Sequence, residues 1–125
     1  MLKRRVLVID DELEFAAIVR KVAEELGCEV TVASDAGAFK TSYAAMPPEV
    51  IVLDIVMPDV DGIELVQWLI EQGCRADIVV VTGHNPNYAR AAKTLAEARG
   101  SMRVRVLEKP AKLAELRAAL SRADC

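Results

Sequence analysis

Five short apolar runs recur along the chain, and longer stretches separate them. The runs are rich in Val and Ile, which favour strands. They occupy Val6–Ile9, Val30–Ala33, Val50–Leu53, Ile78–Val81 and Val104–Leu107. Between them, apolar residues recur three or four positions apart, as Phe15, Ile18 and Val22 do, which predicts helices. Three glycines stand where such helices are expected to end: Gly27, Gly73 and Gly100.

Regular alternation of strand and helix predicts an α/β fold with a parallel sheet. The first, third and fourth runs are wholly apolar, as strands covered by helices on both faces must be. The second run contains Thr31 and the fifth contains Arg105, so both are expected at the sheet edges. This predicts a doubly wound five-stranded sheet in the order 2-1-3-4-5, flavodoxin-like, formed by one domain over residues 1–125. The other common layout, the dinucleotide-binding fold, is disfavoured. It would need a glycine-rich turn after the first strand, where Asp10 and Asp11 stand.

Composition and charge exclude or disfavour several classes of protein. The 125 residues are 53% hydrophobic and 28% charged, which excludes a disordered chain. A net charge of −3 argues against direct DNA binding, because such binding needs a basic surface. The three cysteines, Cys28, Cys74 and Cys125, form neither a disulfide framework nor a zinc ligand set. No apolar run is long enough to cross a membrane, so we expect a cytoplasmic protein.

Polar side chains follow four of the five predicted strands. Asp10 and Asp11 come after the first strand, Asp54 after the third, Thr82 after the fourth and Lys109 after the fifth. In an open parallel sheet, the ligand crevice lies at the carboxyl ends of the strands, where the strand order reverses. The sequence therefore predicts that these side chains converge there.

Three carboxylates in one crevice repel each other unless a cation binds. Mg²⁺ fits best because it prefers oxygen ligands and binds through one or two carboxylates plus a phosphate. Zinc would need Cys or His, and the one histidine is His84. In such a site Asp54 would attack a phosphoryl group, and the cation and Lys109 would neutralise its charge. Thr82 and the Gly83 amide could donate hydrogen bonds to it.

Four motifs then resemble one known family. VLVIDDE begins at Val6, DIVMPDVDG at Asp54, VVVTGH at Val79 and LEKP at Leu107. In their order and near-usual spacing, these motifs resemble the response-regulator receiver domain of two-component systems, with its CheY-like fold. The resemblance covers the chain end to end, with no output domain attached.

The resemblance implies a signalling switch that catalyses no reaction other than its own phosphorylation and dephosphorylation. A histidine kinase or phosphotransfer protein would phosphorylate Asp54, and Lys109 and Thr82 would bind the phosphoryl oxygens. The implied Mg²⁺ ligands are Asp11, Asp54, the backbone carbonyl of Val56 and, through water, Asp10. The Lys109–Pro110 bond is expected to be cis. A downstream effector or output domain would be bound through the face formed by the fourth helix, fifth strand and fifth helix.

The sequence departs from the family pattern in two places. Val106 stands where receivers usually carry an aromatic residue, which puts their usual threonine–aromatic coupling in doubt. Extra chain at 96–103 predicts an extended fourth helix or a longer loop after it.

Two further positions affect how long a phosphoryl group would stay on Asp54. His84 could hydrogen-bond an attacking water, but Val56, two residues after Asp54, cannot do so through its side chain. Because Val56 is apolar, we expect slow self-dephosphorylation.

Charge is spread unevenly along the chain. Residues 1–89 hold 7 basic and 15 acidic groups, and residues 90–125 hold 9 and 4. The basic part, which includes Arg90 and Arg105, is either a solvated face, the more common case, or a docking face. As a docking face it would suit an acidic protein partner or a charge-paired homodimer.

Other interpretations of the same residues stay open. Asp10 and Asp11 could cap the first helix, and Asp61 is expected to act as a turn or cap residue. A phosphatase with Asp54 as transient nucleophile is disfavoured, because the second acid such enzymes need would stand at Val56. A receiver-like docking module that is never phosphorylated is the remaining alternative. The acidic pair, Asp54, Thr82 and Lys109 disfavour it, and Val106 leaves it open.

Overall fold

The computed structural model describes residues 3–57, 60–83 and 86–121. His84 and Cys125 lie outside the described residues. The strands are β1 Arg5–Ile9, β2 Glu29–Ala33, β3 Val50–Asp54, β4 Val56–Met57, β5 Val60–Asp61, β6 Asp77–Thr82 and β7 Arg103–Glu108. The helices are α1 Leu13–Glu25, α2 Ala36–Ala45, α3 Gly62–Glu71, α4 Pro86–Arg99 and α5 Leu113–Ser121. Among the described residues, none of these helices is long and apolar enough to span a membrane.

Five strands form a parallel sheet in the order β2-β1-β3-β6-β7. Counted within this sheet alone, the order is 2-1-3-4-5, so the predicted topology is confirmed. The three central strands are buried almost throughout, whereas β2 and β7 alternate between covered and exposed residues. The short antiparallel pair of β4 and β5 was not expected. It follows β3 directly, and two-residue strands leave too weak a hydrophobic pattern to predict.

The core lies in two layers, one on each face of the sheet. Val50 and Val52 of β3 pack with α1 and α5, whereas Ile51 and Leu53 pack with α2, α3 and α4. This division follows from the two-residue period of a strand, which sends successive side chains to opposite faces. Because both faces are covered, the polar residues that follow these strands must gather at the sheet ends.

Strand register brings the carboxyl ends of four strands together. Ile9 pairs with Leu53, so Asp10 and Asp54 are the next residues of neighbouring strands. The Ile55 amide donates to the Val81 carbonyl (3.0 Å), and the Lys109 amide donates to the Thr82 carbonyl (2.8 Å). The Lys109–Pro110 bond is cis, as expected.

The three glycines that follow helices are needed there for two different reasons. Gly27 and Gly73 have φ of 85° and 71°, a left-handed conformation that favours glycine after a helix. Gly100 is required for space instead, because a Cβ there would lie 2.9 Å from the Ala96 carbonyl oxygen. The helix before it, α4, has 14 residues and is the longest described helix. Of the extra chain predicted at 96–103, residues 96–99 are thus helical and residues 100–102 connect α4 to β7.

Candidate functional site

Two buried carboxylates lie side by side at the carboxyl end of the sheet. Asp10 is 1% exposed and Asp54 is 4% exposed, which is rare for charged side chains. Asp10 Oδ1 accepts a hydrogen bond from the Glu12 amide (2.8 Å), and Asp54 Oδ1 accepts one from the Val56 amide (3.2 Å). Each carboxylate is therefore held by the backbone through one oxygen, and its second oxygen is left to interact across the site.

The Lys109 ammonium group lies between these second oxygens. Its Nζ atom is 3.1 Å from Asp10 Oδ2 and 3.3 Å from Asp54 Oδ2, and it also donates a hydrogen bond to Glu12. The ammonium lies 4.7 Å from the centre of the Phe15 ring. Only 12% of the Lys109 side chain is exposed. One cation thus faces three carboxylates, so the cluster keeps an excess of negative charge.

Burial and the excess of negative charge change the pKa values of Asp54 and Lys109. Burial and, to a lesser extent, the Asp10 charge raise the pKa of Asp54, whereas Lys109 and the Val56 amide lower it, and together they bring it to about 6. Burial alone would lower the pKa of Lys109. Its hydrogen bonds to Glu12 and Asp10 and the charges of Asp10 and Asp54 raise that pKa above its ordinary value. Lys109 is therefore a permanent cation, whereas Asp54 changes its charge just below neutral pH.

The carboxylates fit a hard divalent cation. Asp10, Glu12 and Asp54 each offer an oxygen, and these oxygens lie within 4.8 Å of one another. Asp10 Oδ2 is buried and accepts no hydrogen bond from any described residue, although the Lys109 charge is near. A set of oxygen donors with one orphaned buried atom suits Mg²⁺.

Asp11, a predicted Mg²⁺ ligand, is exposed. The carboxylates whose oxygens lie within 4.8 Å of one another are those of Asp10, Glu12 and Asp54. The Val56 side chain is also exposed, and its amide contacts Asp54. Ligation of Mg²⁺ by Asp11, by the Val56 carbonyl and by Asp10 through water stays a prediction.

The structure brings the Asp10, Asp54 and Lys109 side chains together, and the Thr82 backbone lies beside that of Lys109. Thr82 is 1% exposed at the end of β6, and its carbonyl holds the Lys109 amide. The open crevice in front of Asp54 is lined by Gly83, Val56 and Lys109, and also by Phe15 and Pro110. Four separate strands therefore contribute to one crevice, which can present a nucleophilic carboxylate, a fixed cation and hydrogen-bond donors to a phosphoryl group.

Asp10 and Asp11 are not the N-cap of α1. The N-cap of α1 is Glu12, whose side chain makes no capping hydrogen bond. By contrast, Asp61 caps α3, as expected, by accepting hydrogen bonds from the Ile63 and Glu64 amides. Asp61 also accepts a hydrogen bond from the Tyr88 hydroxyl (2.6 Å), and this bond holds the pKa of Asp61 below its usual value.

Sequence reasoning missed Glu12, Phe15 and Tyr88 as neighbours of the site or of the loop beside it. Glu12 directly follows the acidic pair, so its charge was a usable signal. Phe15 fits the apolar stripe of α1, and the periodicity that predicts burial does not reveal what its ring contacts. The partner of Tyr88 is 27 residues away in sequence, and no local pattern indicates it.

Comparisons with known proteins agree with this geometry. The sequence matches the family model of the response regulator receiver domain over residues 6–121. It is 35% identical over 64% of its length to the C4-dicarboxylate transport transcriptional regulatory protein DctD of Pseudomonas aeruginosa, of which it covers 17%. It is 37% identical over 90% of its length to protein-glutamate methylesterase/protein-glutamine glutaminase 2 of Anaeromyxobacter dehalogenans, of which it covers 32%. The solved receiver domain of the Francisella response regulator 1452 superposes with a TM-score of 0.75 at 28% identity, covering 94% of this chain and 93% of that one.

The fold and the site define a two-component signalling module of the doubly wound α/β class. The chain belongs to the response regulator receiver domain family. Receiver domains are signalling modules and not classical enzymes. The chain spans less than half the length of the two curated relatives named above.

Proposed function

We propose that this protein is a phosphorylation-controlled switch that accepts a phosphoryl group on Asp54. A histidine kinase or a phosphotransfer protein would donate the group in a Mg²⁺-dependent reaction. The proposal rests on one observation above all: a buried carboxylate shares the carboxyl end of the sheet with a second buried carboxylate and a fixed ammonium group.

The chemistry is the transfer of a phosphoryl group between a nitrogen and an oxygen. An Asp54 carboxylate oxygen forms a bond to phosphorus, and the phosphorus–nitrogen bond of the donor phosphohistidine breaks. The electron pair of that bond stays on the imidazole, which takes up a proton from solvent. Lys109 Nζ, 3.3 Å from Asp54 Oδ2, would supply positive charge to the phosphoryl oxygens. Thr82, whose backbone carbonyl accepts from the Lys109 amide, would donate a hydrogen bond to them through its hydroxyl.

A bound Mg²⁺ would neutralise charge on the transferred group and reduce the repulsion between the carboxylates. Asp10, Glu12 and Asp54 have the oxygens within reach of one ion. The role proposed for Asp11 and the Val56 carbonyl follows from the resemblance of DIVMPDVDG and VLVIDDE to the family motifs.

The effect of phosphorylation would reach the face formed by α4, β7 and α5. Asp54 is connected to this face through the sheet, because Ile55 bonds to Val81 and Thr82 bonds to Lys109 at the end of β7. Val106 of β7 is half-buried against the α4 side of the core, where a valine has no long side chain to rotate. We propose that α4 itself changes position, and that an effector or output domain detects the change.

Incubation with acetyl phosphate and Mg²⁺, followed by intact-mass measurement, tests the proposal. We expect one phosphoryl adduct, its loss in Asp54→Asn and its retention in the matched variant Asp77→Asn, which changes an aspartate at the opposite end of the sheet. We also expect the adduct to persist for minutes or longer, and a half-life of seconds would contradict the role given to Val56. Absence of any adduct would favour a docking module that is never phosphorylated.

Hydrogen exchange of the backbone amides tests the signalling face. Phosphorylation is expected to change exchange rates in residues 86–108 more than in α2, which packs on β1 and β2 away from this face. Equal effects on both regions, or none on residues 86–108, would contradict the proposed output face.

A further inference from the structure

The Lys109 ammonium has one neighbour that differs in kind from the rest. Among the described residues that it contacts, Asp10, Glu12 and Asp54 are anions, whereas Phe15 offers an aromatic ring face 4.7 Å away. The face of an aromatic ring attracts a cation without carrying a charge of its own. The ring therefore holds the ammonium in a way that does not depend on the charges of the carboxylates.

The Phe15 ring is firmly anchored. It is 9% exposed and belongs to the apolar layer between the sheet and helices α1 and α5. It lies in the first turn of α1, where the Ala16 amide donates to the Glu12 carbonyl (3.0 Å) and fixes the helix start. By comparison, the Glu12 side chain is 62% exposed and can move away from Lys109.

The carboxylates are needed for other partners during the proposed reaction. Mg²⁺ would draw on Asp10, Glu12 and Asp54, and phosphorylation converts Asp54 into an acyl phosphate. Each event weakens the contacts that these oxygens make with Lys109, while the contact with the ring is unaffected.

We propose that Phe15 is a positioning residue for Lys109. Its ring keeps the ammonium beside Asp54, so that the positive charge is in place when a phosphoryl group arrives. This inference rests on the proposed function of Asp54, and it adds a role for a residue of α1 that would otherwise count only as core.

Graded fluorination of the ring separates attraction from packing. Fluorine withdraws electron density from the ring face while changing the ring shape little. Site-specific replacement of Phe15 by mono-, di- and trifluorinated phenylalanine is expected to lower the rate of phosphorylation by acetyl phosphate step by step, reaching about threefold to tenfold. The same series at Phe39, the second phenylalanine, is the matched control, because Phe39 contacts Trp68 and lies away from Lys109.

Two conventional variants extend the test. Phe15→Leu keeps an apolar side chain but has no ring, so it is expected to match or exceed the loss given by the trifluorinated ring. Trp68→Leu removes a ring that lies 5.5 Å from the Lys40 ammonium, far from the crevice in sequence and structure, and should leave the phosphorylation rate unchanged. Thermal unfolding of each variant identifies any loss of rate caused by misfolding.

Nuclear magnetic resonance of the Lys109 side chain tests the contact without any phosphodonor. Protons on the carbon next to Nζ should be shifted upfield by the ring current in the wild type, and this shift should vanish in Phe15→Leu. Lys109→Arg assigns the signal. Absence of the upfield shift, or equal phosphorylation rates across the fluorinated series, would overturn the inference. A wild-type protein that shows the shift but forms no adduct would contradict the proposed function and not the contact.

Discussion

The two ends of the central sheet carry the same kinds of charged side chain in opposite arrangements. At the amino end, Arg5 pairs with Glu49 (3.6 Å) and Arg103 pairs with Asp77 (3.2 Å), one cation to one anion. These pairs are partly open to solvent, since the side chains of Arg103 and Glu49 are 70% and 41% exposed. At the carboxyl end, one buried ammonium faces three carboxylates.

This difference separates a stabilising arrangement from a functional one. Exposed one-to-one pairs are screened by water and cost little to form or to lose. A buried cluster with excess negative charge is destabilising by itself, and a cation or a change in covalent charge can relieve it. The amino end is thus suited to hold the strands in place, and the carboxyl end is suited to respond to Mg²⁺ and phosphoryl groups.

The largest expected effect comes from removing the buried charge of Asp54. Because folding raises its pKa from 3.8 to about 6, its favourable contribution is complete below about pH 4 and is lost as pH rises through 6. Asp54→Asn carries no charge at any pH, so above pH 6 it should be more stable than the wild type by about 3 kcal/mol. Urea unfolding in the presence of a chelator, near pH 4 and near pH 7.5, measures this.

The stability difference should shrink to near zero at the lower pH. Asp77→Asn, at the amino end, is the control and should show no comparable gain at neutral pH. An Asp54→Asn variant less stable than the wild type at neutral pH would remove the contrast between the two ends.

A smaller effect is expected from magnesium itself. A ligand that binds only the folded state at ten times its dissociation constant raises the free energy of unfolding by about 1.4 kcal/mol. Thermal unfolding with and without MgCl₂ should show this gain in the wild type and in Arg103→Ala. Asp10→Asn should show little of it, because it loses the orphaned carboxylate oxygen. Equal stabilisation of the wild type and Asp10→Asn would place the cation elsewhere.

The smallest effect is expected at the amino end. Arg103→Ala breaks one exposed ion pair and should lower the free energy of unfolding by about 0.2–1 kcal/mol. Because salt screens exposed charges, the loss should fall further in high NaCl. Urea unfolding at low and high salt checks both points. A loss above about 2 kcal/mol would show that this pair is as closely coupled to the fold as the site cluster.

Much of the fold was predictable because each strand and helix leaves a local pattern. Val50–Leu53 is apolar throughout and became a central strand, and Val104-Arg105-Val106 alternates and became an edge strand. The placement of Asp10, Asp54, Thr82 and Lys109 at one end of the sheet was predictable for a related reason, since each ends or directly follows a strand. The pairing of β4 with β5 was not, because two-residue strands carry no periodicity.

The sequence indicated which residues gather at the carboxyl end of the sheet better than it indicated which of them touch. Asp11 and Glu12 are acidic residues in the same run, and the sequence alone does not indicate that the Glu12 oxygen lies with those of Asp10 and Asp54. Trp68 is partly buried, and its ring lies 5.2 Å from that of Tyr43, a contact that no local pattern indicates.

The order of apolar and polar residues alone determined the parallel sheet, its edge strands and the placement of Asp10, Asp54 and Lys109 at the carboxyl end, because burial and strand period act locally. Only the tertiary structure decided which of those groups touch. The contact of Lys109 with the Phe15 ring joins residues far apart in the chain, and its geometry depends on how α1 packs on the sheet. Packing of that kind depends on many side chains at once, so no short stretch of sequence encodes it.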